Sequence, residues 1–232
     1  MRTEETEESE YKKLTVNFYR YVPPTNIEIV AWAKKLHSKR EYSRAGELLI
    51  DKSVPDADKD AVYAMVNNWR SIHAFPLNTA QNVLRKKAKQ IDLDAIVAQR
   101  TKRLSSIIRK LENKANMNLA QMQDIAGCRA ILHTTDGVNE LAEWYRNSSG
   151  YNPKENNYLL TPKKDGYRGI HLIYVYKGKK ENEYDGLKIE VLLRSRPQHA
   201  WATAVETVDV FTNQSLKFGG GEVYWKRFFA LM

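Results

Sequence analysis

Apolar positions recur at two different spacings along this 232-residue chain, and the change of spacing divides it. In the first half the spacing is helical. Ile27, Val30, Ala31 and Leu36 predict a helix from near Asn26, with a break around Ser38–Tyr42 and a short helix carrying Ala45, Leu48 and Leu49. Pro55 and Asp56 open another, in which Val62, Met65, Val66 and Trp69 recur, and which ends before Phe75-Pro76. A basic helix is expected over Asn78–Gln90, and Asp92 starts a long helix that runs through residue 110.

After Lys114 the pattern shortens. Residues Gln123–Thr134 hold Ile125 and Cys128-Arg-Ala-Ile-Leu and read as a strand; a helix starts at Asp136-Gly137 and carries Leu141, Trp144 and Tyr145. Asn157–Thr161 reads as a short strand. Gly169–Tyr176 and Leu187–Arg194 are stronger ones, joined by a polar turn, and Gln198–Thr212 returns to helix. The order predicts an α/β (α+β) fold, a mixed sheet of about five strands surrounded by helices with an N-terminal helical extension.

Charge narrows the partners. The chain carries a formal +9, and its first ten residues, with five glutamates and one arginine, hold −4 of that balance, leaving +13 on the rest. Those ten residues read as a disordered acidic lead. An excess of this size on a globular domain implies a polyanionic partner, nucleotide or nucleic acid. No apolar run is long enough to cross a bilayer and no signal-peptide pattern opens the chain. The single cysteine, Cys128, excludes an internal disulfide and a cysteine-based zinc cluster and reads as a small core residue, so a cytoplasmic protein is expected.

Several residues offer chemistry. If residues 100–110 are helical, Lys102, Ser106 and Lys110 share one face opposite Leu104, Ile107, Ile108 and Leu111. With Arg100 nearby they make a cationic front suited to a polyphosphate; a solvated basic face is the plainer alternative. Leu187, Ile189, Val191 and Leu193 face one side of their strand, and Lys188, Glu190, Leu192 and Arg194 the other. Glu190 and Asp124, carboxylates on separate strands, suit a magnesium-nucleotide reaction in which one also orients or deprotonates a hydroxyl. Lys163-Lys-Asp-Gly-Tyr-Arg-Gly-Ile-His171 places an aromatic face beside positive charge, able to stack a base and hold a phosphate. His171 and His199 read alone as structural histidines.

Five segments in order resemble the alarmone synthetase domain of the RelA/SpoT homologues. They are Arg100-x-Lys102-x-x-x-Ser106-x-x-x-Lys110, Met122-Gln-Asp124-Ile-Ala-Gly-Cys-Arg129, Asp165-Gly-Tyr167-Arg-Gly-Ile-His171, Ile189-Glu190-Val191 and Gln198-His199-Ala-Trp-Ala. The resemblance implies a nucleotidyltransferase-like sheet and a pyrophosphokinase. Such an enzyme moves pyrophosphate from ATP to a ribose 3′-hydroxyl, usually of GDP or GTP, giving (p)ppGpp and AMP. It implies that Arg100, Lys102, Ser106, Lys110 and Arg129 bind ATP and that Asp124 and Glu190 are catalytic and hold Mg2+. It further implies that Tyr167, Lys164 and His171 bind the acceptor.

The family often reads Glu-Val-Gln where this chain has Glu190-Val-Leu192, and no His-Asp dipeptide of its hydrolase domain is present. The stretch Glu41-Tyr-Ser-Arg-Ala-Gly-Glu-Leu-Leu and the segment from His199 to Met232 are similar to toxic small alarmone synthetases, including fused toxin–antitoxin forms that sense phage. That similarity implies tRNA, pyrophosphorylated at its 3′-CCA end, as an alternative acceptor, with an antitoxin as a further partner. Lys34, Lys35, Lys39, Arg40, Arg85, Lys86, Lys87 and Lys89 are the candidate RNA contacts. A catalytically silent nucleotide- or RNA-binding module is the reading from another class. The expected division is a lead over 1–10, a helical extension over 11–58, the pyrophosphokinase domain over 59–212 and the start of a truncated helical region over 213–232.

Overall fold

A computed structural model of the chain describes residues 31–232 except 115, 213–215 and 217–219. The acidic lead and the predicted helix start near Asn26 lie outside the described residues. Residues 31–38 are not helical. The Asn68 side chain takes their backbone instead, donating to the Lys34 carbonyl at 3.0 Å and accepting from Leu36 N–H at 3.4 Å. Helix α1 then runs Lys39–Ile50. Ser38 and Glu41 form a capping box, so the expected break at Ser38–Tyr42 is a helix start, with Tyr42 buried at ring distance 4.6 Å from Trp69.

Helix α2 spans Asp56–Ile72 and α3 spans Ala74–Ile91. Pro76 sits in the first turn of α3, where its missing N–H costs nothing, so the helix begins earlier than predicted. His73 joins the two helices, almost fully buried, with Nδ1–H donating to the Trp69 carbonyl at 2.7 Å. Burial pushes its pKa down to about 4. The unfolded chain therefore binds a proton near pH 6.5 that the folded chain refuses until about pH 4. Stability from this residue is complete above pH 6.5 and falls as pH drops toward 4, by about 3 kcal/mol. Urea unfolding across that window should show the loss, and His73→Phe should flatten it; an unchanged slope in that variant would clear His73 of the effect.

The long helix expected from Asp92 does not form. Strand β1 spans Ile96–Thr101, and helix α4 starts only at Leu104, ending at Glu112. Asp92 turns the chain by accepting from Asp94 N–H at 2.9 Å and His133 N–H at 2.7 Å. The next residues then complete a sheet edge, and helical burial resumes with Ile107 and Leu111. Strand β2 is Ala126–Leu132, followed by helix α5, Thr135–Asn147. Strand β3 is Lys154–Asn157, shorter and earlier than predicted, because the Asn157 side chain accepts from Leu159 and Leu160 N–H and turns the chain there. Strands β4, Ile170–Val175, and β5, Lys188–Ser195, match expectation, as does helix α6, Arg196–Thr212. Helix α7, Val223–Leu231, packs Phe229 against α6.

The sheet order is β1-β2-β5-β4-β3, with β2 and β5 parallel and the other pairs antiparallel. One face is apolar: Ala126, Cys128, Ala130 and Leu132, Ile189, Val191 and Leu193, Ile170, Leu172 and Tyr174 are all buried. Helices α3 and α5 cover it, and their cluster with α1, α2 and α4 is the core. The other face is polar. Side chains directly opposite across paired strands share a face, so the register lays out two rows on it. One row reads Arg100, Gly127, Glu190, Ile173; the next reads Ala98, Arg129, Leu192, His171.

Candidate active site

The first row places a carboxylate and a guanidinium on either side of a glycine. Glu190 is held by His171, whose Nδ1 lies 2.9 Å from Glu190 Oε1. A methyl group at Gly127 would lie 4.0 Å from Glu190 Oε2, so the glycine leaves open the space between Glu190 and Arg100.

Asp124 precedes β2 at the same end of the sheet. Lys102 Nζ reaches its Oδ2 at 2.7 Å, and Lys110 Nζ reaches its Oδ1 at 2.8 Å. Burial works to raise this carboxyl, but the hydrogen bonds and charges of the two lysines outweigh it and hold its pKa below the usual value. The lysines arrive by different routes from those predicted. Arg100 lies on β1 and Lys102 in the two-residue link to α4, while Ser106 and Lys110 lie on the helix itself. The link is fixed by Lys102 N–H donating to the Ile125 carbonyl at 2.8 Å and by Arg70 Nε donating to the Lys102 carbonyl at 2.9 Å. The shared helical face for residues 100–110 is therefore corrected to a strand, a link and a helix, the last two each sending a lysine to one aspartate.

A third cluster lies beside His171. The Tyr167 hydroxyl meets His171 Nε2 and accepts from Arg194 Nη2 at 2.8 Å. Lys163 Nζ stands 4.6 Å from the Tyr158 ring centre and 4.8 Å from that of Tyr167. Burial raises the Tyr167 phenol pKa against the opposing pull of Arg194. Gly166 takes φ +90°, and a Cβ there would meet the Phe229 carbonyl oxygen at 2.3 Å, so only glycine lets α7 approach this loop. Trp201 Nε1 donates to that same carbonyl at 2.9 Å.

Of the predicted residues, Asp124, Lys102 and Lys110 come into contact, as do Glu190, His171 and Tyr167. Arg100 and Arg129 stand on adjacent rows of the same face. Ser106 is half-buried on α4, one helical turn before Lys110. Lys164 is exposed, and its neighbour Lys163 makes the contacts to the tyrosines. Arg194 and Tyr158 were not among the predicted site residues. The strand alternation that put Lys188, Glu190 and Leu192 on one side also put Arg194 there, and that was the available signal.

The candidate RNA contacts separate into two groups. Lys35 N–H donates to Glu183 at 2.8 Å and Lys39 Nζ approaches Gly186, so Lys34, Lys35, Lys39 and Arg40 gather near the β4–β5 turn. Arg85, Lys86, Lys87 and Lys89 lie on α3, which covers the apolar face of the sheet, away from Glu190. Lys87 Nζ there stands 4.9 Å from the Trp144 ring centre. A cluster of Asp92, Asp94 and His133 has metal-compatible spacing, but it clasps the α3–β1 turn to the far end of β2 from Asp124.

Residues 99–210 match the family model described as the region found in RelA / SpoT proteins. The fold is similar to that of small alarmone synthetase 2 from Bacillus subtilis, at TM-score 0.60 and 20% identity over 71% of this chain and 88% of that one. Small alarmone synthetase 1 from the same organism, bound to its product pppGpp, gives TM-score 0.57 and 22% identity over 70% and 88%. A GTP pyrophosphokinase family protein from Streptococcus pneumoniae gives 0.57 and 21% over 68% and 81%. No curated protein matches the chain in sequence.

Proposed function

We propose that this chain, whose residues 99–210 match the family model of the region found in RelA / SpoT proteins, transfers pyrophosphate from ATP to the ribose 3′-hydroxyl of GDP or GTP. The observation that carries the reading is the Lys102–Asp124–Lys110 clamp at the same end of the sheet as Glu190. The hydroxyl oxygen attacks the β-phosphorus of ATP, the bond from that phosphorus to the α-bridging oxygen breaks, and AMP leaves. The hydroxyl proton passes to Glu190, which His171 orients. Lys102, Lys110, Ser106, Arg100 and Arg129 hold the donor, and Tyr167, His171 and Lys163 hold the acceptor.

The donors fit a magnesium ion. Carboxylate oxygens are hard ligands, and two ammonium groups now sit as cations on Asp124. When bound by Asp124 and Glu190, magnesium would neutralise phosphate charge as the bond to AMP breaks. The lysines are then free to move from the carboxylate to the phosphates.

Incubation with γ-labelled ATP and, separately, GDP, GTP and deacylated tRNA tests the reading. Label should pass to GDP or GTP. Label found only on tRNA would replace the nucleotide acceptor with the RNA one, and no transfer to any would sink the pyrophosphokinase reading. Lys102→Ala and Lys110→Ala should each weaken ATP, by roughly 1.5–3 kcal/mol for a lost charge-assisted contact, while leaving acceptor affinity alone. ATP titrations indistinguishable from those of the unaltered protein would reduce this face to a solvated surface.

A further inference from the structure

Arg194, Tyr167, His171 and Glu190 form one line of hydrogen bonds across the polar face. His171 stands opposite Leu192, midway between Glu190 and Arg194 along β5. It is therefore a diagonal neighbour of both, and Leu192 between them has no polar group to compete for it. Its Nδ1 lies 2.9 Å from Glu190 Oε1. Its Nε2 meets the Tyr167 hydroxyl, which accepts from Arg194 Nη2 at 2.8 Å. Arg194 is only 9% exposed, so water competes little for that bond. Two rings flank the line. Tyr158 stands edge to face with the imidazole, centres 5.4 Å apart, and the Trp201 ring centre lies 6.1 Å from that of Tyr167.

The two ends of the line order the protons between them. A guanidinium can only donate, and an ionised carboxylate can only accept. The Tyr167 oxygen accepts from Arg194, which turns its own proton toward His171 Nε2. Burial raises the Tyr167 pKa, so the phenol keeps that proton. The neutral imidazole then receives at Nε2 and carries its proton on Nδ1, where it donates to Glu190. A free imidazole prefers the other tautomer, so this one is imposed by the neighbours. Oε1 of Glu190 is thereby engaged. Oε2 remains, beside the space over Gly127, where a Cβ would come within 4.0 Å of it.

We propose that Arg194 is a positioning residue: acting through Tyr167 and His171, it holds Glu190 by Oε1 and leaves Oε2 as the atom that takes the acceptor's hydroxyl proton. As that proton reaches Oε2, the hydroxyl oxygen bonds to the β-phosphorus, and AMP leaves with the electron pair of the broken bond. In this role Arg194 need touch neither substrate. Tyr167 is the residue proposed to receive the acceptor, so one side chain links acceptor binding to the order of the carboxylate. The effect on turnover rests on the function proposed above; the order of the protons does not.

The test reads the His171 imidazole by NMR in the full chain labelled with 15N-histidine, without ATP, acceptor or magnesium, at about pH 8, where an ordinary imidazole is neutral. Loss of one set of resonances in His171→Gln identifies it among the five histidines. Its proton should lie on Nδ1 and exchange slowly with water. Arg194→Met removes the donor, and Tyr167→Phe removes the hydroxyl but keeps the ring. Each should speed that exchange by roughly tenfold or more, as loss of a hydrogen bond in a charged line implies. Arg194→Lys, still a donor only, should restore slow exchange. In the transfer assay Arg194→Met should lower kcat by about 10–100-fold, the usual effect of removing a group behind a site residue. The acceptor KM should change little, and Arg194→Lys should recover most of the rate. A proton on Nε2 of His171 in the unaltered protein would overturn the proposal. So would unchanged exchange in a folded Tyr167→Phe protein, which lacks a single oxygen and carries the test should Arg194→Met not fold. Full kcat in a folded Arg194→Met protein would overturn it as well. Absence of transfer by the unaltered protein would count only against the catalytic reading, since the imidazole is read without substrate.

Discussion

Glu190→Gln is expected to remove pyrophosphate transfer almost completely while the protein stays folded. The substitution preserves volume, and the amide oxygen can still accept from His171 Nδ1, now 2.9 Å from the carboxylate. Glu190 is half-buried on the polar face, and its apolar neighbours Ile189 and Val191 point to the core, so packing is untouched. What goes is the negative charge, which serves the proposed reaction by accepting the hydroxyl proton and by helping to hold the metal. General-base contributions alone are on the order of 10²–10⁴ in rate, and loss of a metal ligand adds to that. A drop of about 10³ or more in turnover is expected, with an unchanged melting temperature as the control for folding. Turnover within a few-fold of the unaltered enzyme would take Glu190 out of the mechanism.

The two halves of the site were unequally legible in the sequence. Glu190 was legible because a strand with one buried face writes its orientation into alternation: Ile189, Val191 and Leu193 are fully buried, and Glu190 follows from them. Ile107 and Leu111 likewise placed Ser106 and Lys110 on a helix. Arg100 and Lys102 were misplaced on that helix because β1 is an edge strand with Ile96 exposed and no clean alternation. Its structure comes from backbone pairing with β2 and from the turn set by Asp92, both long-range with respect to a local pattern. Residues 31–36 failed for a similar reason, their helical spacing overridden by one asparagine side chain on α2. The Lys163–Tyr158–Tyr167 contact depends on how a loop folds over a strand end, which no periodicity records.

The register also gives Gly127 a role that can be separated from folding. It sits in the same row between Arg100, proposed to hold the donor, and Glu190, proposed to take the hydroxyl proton. Its backbone is not in the left-handed region, so other residues can adopt it. A single methyl would meet the Glu190 carbonyl oxygen at 3.9 Å and Oε2 at 4.0 Å, ordinary contact distances. Gly127→Ala should therefore fold normally and keep activity within a few-fold. Gly127→Val adds two further carbons that must enter the space beside the carboxylate, while its β-branching favours the strand. The sheet should be no less stable, yet the carboxylate or the donor must shift. Displacement of a reacting group by about 1 Å costs on the order of 10²-fold, so kcat/KM should fall at least that far with the melting temperature held or raised. Equal activity in the alanine and valine variants would show that nothing reacts over Gly127, and a collapse of the melting temperature in both would show that the glycine serves the sheet rather than the site.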